Sequence, residues 1–291
     1  MVTKISQLYL DARSALMKTE DQQTASIMAR SLLAYFLEMT QEQIIAQRDQ
    51  AVSEQNCIKV EQAVSRILNG EPIAYIIGQW DFYGMRLEID RNVLIPRDDT
   101  CAVTALAIKK ALFLDQDPRI LDLCTGSGCI GLAIAHRVKD ARLTLADISQ
   151  EALAVAKKNV ALQKLSARVS CVVADARMAP VPFLGKFDLI VSNPPYITAA
   201  EMEALDNSVK DYEPHLALYG GEDGLDFYRS ISALYRNALK PGGFLCFEFG
   251  MGQGDAVCEI LQNNGYTILE RTRDNNNIER AVLAQYSRKE V

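Results

Sequence analysis

In the first part of the chain, apolar residues recur at intervals of three and four positions, the spacing that places them on one face of a helix. Three such helices are predicted, and Thr40 with Gln43 has the pattern of a capping box that opens a further short helix. The three apolar faces contain Ile5, Leu8, Tyr9 and Ala12; Ala29, Leu32, Leu33, Phe36 and Leu37; and Val60, Ala63, Val64, Ile67 and Leu68. We expect these faces to pack together as a small helical bundle.

From Trp80 to Ile95 apolar and polar residues alternate around Asp90-Arg91-Asn92, which predicts a β-hairpin with its turn at those three residues. From Asp99 onward, helical segments alternate with short apolar runs typical of buried strands. The runs lie at Ile120, Leu143, Val169, Phe187 and Phe244, and two late strands are predicted at 266–269 and 280–286. The order predicts an α/β fold with a doubly wound, seven-stranded sheet that has an antiparallel edge, preceded by the bundle and the hairpin.

A glycine-rich segment follows the strand predicted at Ile120. Gly126 and Gly128 permit backbone conformations and a close approach that a Cβ atom would prevent, and the next helix offers free N–H groups at its start. Asp147 ends the following strand about 20 residues further on, where an acidic side chain often binds ribose hydroxyls. This spacing favours an adenosine-containing cofactor. NAD binding or a simple tight turn stays open, and Asp147 is also placed to cap the helix that begins near Ser149.

A second motif, Asn193-Pro194-Pro195-Tyr196, comes directly after the apolar run 187–192. Prolines have no N–H to donate, so a strand ladder cannot continue through them and nearby carbonyl oxygens stay free to accept hydrogen bonds. With the Asn193 side chain, these oxygens form a group of acceptors suited to a planar amino group. The alternative is that the prolines only end a strand and that Tyr196 only packs against its neighbours.

Together with other segments, both motifs resemble those of the class I S-adenosylmethionine methyltransferases and, within them, the release-factor glutamine N5-methyltransferases of the HemK/PrmC family. The similarity spans nearly the whole chain. The matching segments are Gly70-Glu71-Pro72-Ile73-Ala74-Tyr75, Phe82-Tyr83-Gly84, Val93-Leu94-Ile95-Pro96-Arg97, 122–131, Asn193-Pro194-Pro195-Tyr196-Ile197, 220–226, Lys240-Pro241-Gly242-Gly243 and Ile278-Glu279-Arg280. The motif Asn-Pro-Pro-Tyr is also found in adenine-N6 DNA methyltransferases and ribosomal-protein glutamine methyltransferases. The segment Leu94-Ile95-Pro96-Arg97 and the helical N-terminal region make the resemblance more specific to the HemK/PrmC family.

The resemblance implies a class I methyltransferase sheet and transfer of a methyl group from S-adenosyl-L-methionine (AdoMet) to the side-chain amide nitrogen of a glutamine. That glutamine is the one in the Gly-Gly-Gln loop of peptide-chain release factors. The resemblance also implies a catalytic site of Asn193, Pro194, Pro195 and Tyr196. The residues implied to bind AdoMet are Cys124, Thr125, Gly126, Ser127, Gly128, Asp147, Ala176 and Asn193.

Three domains are expected: a helical substrate-docking domain at 1–78, a β-hairpin linker at 79–98 and an AdoMet-dependent methyltransferase domain at 99–291. The docking role comes from the resemblance alone. Three positions depart from the family pattern, which usually has Gly at Cys124, Trp or Phe at Ala176, and Pro at Asp98.

The charge of the chain argues against a DNA substrate. It has 31 Lys and Arg residues against 37 Asp and Glu, a net charge of −6, and so lacks the overall positive field that draws proteins to nucleic acid. This weighs against the alternative enzyme activity, adenine-N6 DNA methylation.

Another alternative is a non-catalytic protein that retains only the fold of a cofactor-binding enzyme. Such a protein would tolerate the loss of Asn193 or of the glycines, but this chain keeps Asn193 and the glycines, which argues against that alternative.

Other sequence features indicate a cytoplasmic protein with no membrane association. The start of the chain shows no secretion signal, and no apolar segment approaches the length of a membrane span. Seven cysteines without a C-x-x-C pair indicate reduced thiols. His136 and His215 have no metal-ligand partner at helix spacing, so we expect no metal site.

Overall fold

The three helices that the apolar spacing predicts in the first part of the chain are confirmed. In the computed structural model, which describes residues 3–287, the chain divides between Gly78 and Gln79 into two compact units. The first contains α1 (Ile5–Leu16), α2 (Gln22–Leu37), α3 (Gln41–Ala46), α4 (Glu54–Leu68) and α5 (Ile73–Ile77). Their inward faces, including Leu8, Leu32 and Val60, share one apolar core. The capping box is confirmed, because the Thr40 hydroxyl accepts from the Gln43 N–H at 3.3 Å and Gln43 Oε1 accepts from the Thr40 N–H at 2.8 Å.

The second unit begins with the predicted hairpin, but its turn lies earlier than expected. β1 (Gln79–Phe82) pairs with β2 (Met85–Glu88), so only Tyr83 and Gly84 lie between the strands. Both have positive φ, 50° and 78°, as a two-residue hairpin turn requires. The prediction of a turn at Asp90-Arg91-Asn92 is therefore wrong for the hairpin. Those residues form a separate turn after β2, where the Asp90 carboxylate accepts from the Asn92 N–H at 2.9 Å.

Seven strands of the second unit form one mixed sheet, which confirms the predicted fold. They are β3 (Arg119–Leu123), β4 (Arg142–Asp147), β5 (Val169–Val173), β6 (Phe187–Ser192), β7 (Leu239–Glu248), β8 (Tyr266–Arg273) and β9 (Glu279–Tyr286). Their order across the sheet is β5-β4-β3-β6-β7-β9-β8. Of these seven strands, β9 alone runs antiparallel, and it lies between β7 and the outermost strand β8.

Helices pack on both faces of this sheet. They are α6 (Thr100–Ala111), α7 (Cys129–Arg137), α8 (Gln150–Leu162), α11 (Asp226–Leu234) and α12 (Gly254–Asn263), whereas the short helices α9 (Ala199–Ala204) and α10 (Asn207–Lys210) contain no buried residues and lie between β6 and α11 along the chain. Leu121 and Phe247 share a core with α11 and α12, whereas their strand neighbours Asp122 and Cys246 contact α7 and α6 on the opposite face. Within residues 3–287, no helix is both long enough and apolar enough to cross a bilayer. The parallel strands bring the carboxyl ends of β3, β4 and β6 to one edge.

Candidate active site

The loop between β3 and α7 forms one wall of a cleft at this edge. Gly126 and Gly128 have φ of 54° and 85°, in the left-handed region that glycine tolerates best. A Cβ atom on Gly126 would enter open space, whereas one on Gly128 would lie 3.1 Å from Leu145 Cδ1. Gly126 therefore keeps the cleft open, and Gly128 lets α7 begin close against β4. Cys124, where the resemblance expects glycine, also has a positive φ of 61°.

Asp147 supports this loop from the end of β4. Its Oδ2 accepts from the Gly126 N–H at 2.9 Å, and its Oδ1 accepts from the Ser149 N–H at 3.0 Å. The alternative that Asp147 caps α8 is wrong, because the Ser149 hydroxyl caps that helix by accepting from the Ala152 N–H at 3.0 Å. Burial raises the pKa of Asp147, and the N–H donors act in the opposite direction. Each carboxylate oxygen keeps a second acceptor site, as binding a pair of hydroxyls requires.

Asp122, which the sequence analysis did not assign to the site, lies beneath the loop and is fully buried. Its Oδ2 accepts from the Thr125 hydroxyl at 2.6 Å and from the Gly131 N–H at 2.9 Å. Its Oδ1 has no hydrogen-bond partner among the described residues, and burial raises the pKa of this carboxyl to about 7. Asp122 thus joins the loop to the first turn of α7.

Asn193 reaches the same cleft from β6. Ser192, the last residue of that strand, is opposite Leu123 and donates its hydroxyl to the Leu123 carbonyl at 2.6 Å. Asn193 directly follows β6 and Cys124 directly follows β3, and both line the cleft. Asn193 Nδ2 donates to the Thr100 hydroxyl at 3.3 Å. The sheet register therefore brings the two predicted motifs together.

The cleft and the open space at its mouth together have a volume of about 950 Å³, and most of the predicted site residues line this cleft. Those that line it are Cys124, Thr125, Gly126, Ser127, Asp147, Ala176, Asn193 and Pro195. Three predicted residues do not. Gly128 packs against β4, Pro194 is buried, and Tyr196 lines a neighbouring depression with Ile197, Met251 and Arg280.

The glycine-rich segment 220–226 fixes the backbone around Tyr196. Cβ atoms on Gly220 and Gly224 would lie 2.6 Å from Tyr196 Cα and 2.3 Å from its carbonyl oxygen. Gln253 Nε2 also donates to that carbonyl at 3.0 Å. Only glycine permits the backbone of segment 220–226 to come so close to Tyr196, so this segment holds the motif Asn193-Pro194-Pro195-Tyr196 in place.

Glu248 is the other acidic residue that the sequence analysis missed. It ends β7, is 1% exposed, and its Oε2 has no hydrogen-bond partner among the described residues. Burial raises the pKa of Glu248 to about 8. The signal in the sequence is an acidic residue inside an otherwise apolar run, 244–249, because a carboxyl buried in a strand is rarely there for packing.

These residues fit an adenosine-containing cofactor. The open face of Gly126, the unused acceptor sites of Asp147 and the turn at Asp175-Ala176 lie on one cleft. Ala176 is 3% exposed and belongs to the apolar core, so its small side chain leaves room at that end of the cleft. Over residues 3–287, no cluster of three or more His, Cys, Asp or Glu residues is placed to hold a metal ion.

Comparison with known proteins gives consistent matches in sequence and fold. Residues 7–78 match the PrmC N-terminal domain, and residues 101–221 match the Methyltransferase small domain. The release factor glutamine methyltransferase of Clostridium acetobutylicum is 37% identical over 281 residues, 97% of this chain and 98% of the relative. That of Thermodesulfovibrio yellowstonii is 36% identical over 262 residues, 89% of this chain and 92% of the relative. A solved methyltransferase from Pyrococcus furiosus shares the fold with a TM-score of 0.52 at 18% identity, over 78% of this chain and 99% of that one.

Proposed function

Since this chain belongs to the family of release factor glutamine methyltransferases, we propose that it methylates the glutamine in the Gly-Gly-Gln loop of peptide-chain release factors, on the side-chain amide nitrogen. The chain is an AdoMet-dependent methyltransferase. The observation that carries the proposal is that Asn193 and the loop residues 124–127 line one cleft, because a methyl donor and an amide acceptor must meet there. The amino group of adenine would suit the same acceptors, but the net charge of −6 weighs against a DNA substrate.

For the cofactor, we assign the open face of Gly126 to close backbone approach and the Asp147 carboxylate to the ribose hydroxyls. Cys124, Thr125, Ser127 and Gly128 complete the loop, and Ala176 flanks the adenine. When bound, AdoMet supplies a methyl group on a cationic sulfonium, which a nucleophile attacks in line. The residues of the loop then serve to hold the donor still and to exclude water from the cleft.

An amide nitrogen is a weak nucleophile, because its lone pair is delocalised into the carbonyl group. We assign Asn193 Oδ1 and the Pro194 carbonyl to accept hydrogen bonds from the substrate NH2 group and to orient it. The same acceptors stabilise the positive charge that develops on nitrogen during transfer. Pro195 lines the cleft beside Asn193, and Tyr196 is assigned to pack on the amide plane from the neighbouring depression.

The first unit is proposed to dock the release factor. Its helices have a core of their own, and residues 7–78 match the PrmC N-terminal domain, so this unit is not needed to build the cleft. A protein substrate needs a larger recognition surface than a single glutamine side chain offers. Release factors act in translation, and we accordingly place the protein in the cytoplasm.

The experiment incubates the purified chain with methyl-labelled AdoMet and either a release factor, the same factor with its Gly-Gly-Gln glutamine changed to alanine, or duplex DNA. We expect label only on the unaltered release factor. Asn193→Ala should lower the single-turnover rate roughly 100- to 1000-fold, because one preorganised acceptor is lost. Asn193→Asp keeps an acceptor oxygen and should retain more activity than Asn193→Ala.

Asn275→Ala is the matched control, because Asn275 is exposed and lies outside both the cleft and its neighbouring depression. AdoMet affinity should stay within a few fold for all three variants. A wild-type rate for Asn193→Ala would show that this motif is not the amide-binding site, and label on DNA would favour adenine methylation instead.

A further inference from the structure

The orientation of the Asn193 side chain depends on two residues outside its motif, and we propose that Thr100 and Glu248 hold it with its oxygen towards the substrate amide. In this role they are positioning residues, which act through Asn193. The inference rests on the proposed function, because it assumes that Asn193 receives the substrate amide.

The fold brings these three side chains together. Ser192 is opposite Phe247 in the parallel pair of β6 and β7, so Asn193 and Glu248 are the next residues on neighbouring strands. Thr100 begins α6 and is 3% exposed, and Asn193 Nδ2 donates to its hydroxyl oxygen at 3.3 Å. Burial raises the pKa of the Glu248 carboxyl, whereas the Thr100 hydroxyl and the Asn193 side chain lower it by donating towards the carboxyl.

The two ends of an asparagine side chain have nearly the same shape, so its hydrogen-bond partners decide which end faces which way. The Thr100 hydroxyl alone cannot fix the orientation of the Asn193 amide, because a hydroxyl can both donate and accept a hydrogen bond. The Thr100 hydroxyl donates towards the Glu248 carboxyl, which keeps an acceptor oxygen whether it is ionised or protonated, and this leaves the lone pairs of the Thr100 oxygen for a donor. Asn193 must therefore present its NH2 group to Thr100, and its Oδ1 is left for the cleft that Asn193 lines.

The other neighbours of Glu248 do not account for a carboxyl at this buried position. The positive charge of Arg280 lowers the pKa of Glu248, but Arg280 forms its ion pairs with Asp99 at 2.8 Å and with Asp274 at 2.9 Å. The Tyr228 hydroxyl donates at 3.0 Å to the backbone carbonyl of Glu248 rather than to its side chain. A buried carboxyl with an incomplete set of partners costs stability, so its presence here is best explained by what it does for Asn193.

This arrangement matters for the chemistry because the opposite orientation would set two NH2 groups against each other. With Oδ1 facing the cleft, the substrate amide finds an acceptor already in place. With Nδ2 facing it, the amide would meet a donor and lose both the hydrogen bond and the stabilisation of the charge on nitrogen.

The test measures single-turnover methyl transfer by the full-length chain at saturating labelled AdoMet and release factor. Thr100→Val removes the hydroxyl at nearly constant size, and we expect a rate loss of roughly 10- to 100-fold, smaller than the loss from Asn193→Ala. Thr100→Ser should restore most of the rate, and Glu248→Gln should lower it with AdoMet affinity within about twofold of wild type. Thr104→Val is the control, since it removes another buried hydroxyl of α6, one that donates to the Thr100 carbonyl at 2.8 Å, and should leave the rate unchanged.

A double-mutant cycle separates positioning from general support of the fold. In the Asn193→Ala background, Thr100→Val should change the rate by less than about twofold, because no Asn193 amide remains to be oriented. An additional loss of about tenfold or more in that background would overturn the inference. The inference would also be overturned if Thr100→Val keeps the wild-type rate while Asn193→Ala is slow, and that result would not contradict the proposed function. If Asn193→Ala itself keeps the wild-type rate, the proposed function fails and this inference fails with it.

Discussion

Replacing Asp147 by asparagine tests the proposal that this residue binds the ribose of AdoMet. In the structure Oδ2 accepts from the Gly126 N–H at 2.9 Å and Oδ1 from the Ser149 N–H at 3.0 Å, which uses one acceptor site on each oxygen. A carboxylate has about four such sites, so two remain for the two ribose hydroxyls. Asparagine keeps the shape of the side chain but replaces one acceptor oxygen by an NH2 group.

The expected loss of AdoMet affinity follows from this count of acceptor sites on Asp147. Asp147→Asn loses one charge-assisted hydrogen bond to ribose and weakens the other, which costs about 1.5–3 kcal/mol of binding free energy, or roughly 10- to 100-fold in Kd. It also leaves Gly126 or Ser149 with an N–H facing a donor, which costs about 1–3 kcal/mol of stability. Burial raises the pKa of Asp147, so removing the buried charge offsets part of this stability loss.

Isothermal titration calorimetry with AdoMet measures the affinity, and thermal unfolding without AdoMet measures the stability. Asp140→Asn is the control, because Asp140 is an exposed carboxylate outside the cleft. If Asp147→Asn lowers the Tm but leaves the AdoMet affinity within about twofold of wild type, Asp147 only supports the loop and the ribose assignment is wrong.

Two further predictions concern stability and the first unit. Burial raises the pKa of Glu248 to about 8 and that of Asp122 to about 7. Both groups hold protons in the folded state that the unfolded chain releases above about pH 4.5, so the free energy of unfolding should fall as pH rises from about 4.5 to 8 and then level off. Urea unfolding across this range checks the slope, which should be shallower for Glu248→Gln, and an equal slope would contradict the assignment. Deleting residues 1–78 should abolish methylation of intact release factor while AdoMet binding stays measurable by calorimetry, and undiminished turnover would exclude the docking role.

Local patterns were sufficient to predict α1, α2 and α4 and the strands of the sheet, because both depend on the spacing of apolar residues, and the capping box predicted α3. The five-residue helix α5 was not predicted. The hairpin turn was missed because Tyr83 is bulky and does not resemble a turn residue, although Gly84 supplies the φ that the second position needs. The polar residues 90–92 do form a turn, which is why the hairpin turn was predicted there, but that turn does not join β1 to β2.

The site was predictable as far as its residues follow the ends of strands. Gly126, Asp147 and Asn193 each lie just beyond or at a carboxyl end, and parallel strands collect those ends at one edge. Thr100 and Glu248 were not predictable in the same way. Their closeness to Asn193 depends on the register of β6 with β7 and on where α6 packs, which no short segment of the chain encodes.

The strand order also determines when the cleft can form as the chain folds. Leu123 and Ser192 bond across β3 and β6, yet they are 69 positions apart in the sequence. Closing so long a loop slows folding, whereas the helices of the first unit contact segments that are nearer in the sequence. The first unit also leaves the ribosome before the second, so its core can form while the cleft residues are still apart. If AdoMet binds at the proposed site, it binds only after β3 and β6 have paired, and it then shifts the equilibrium further towards the folded chain.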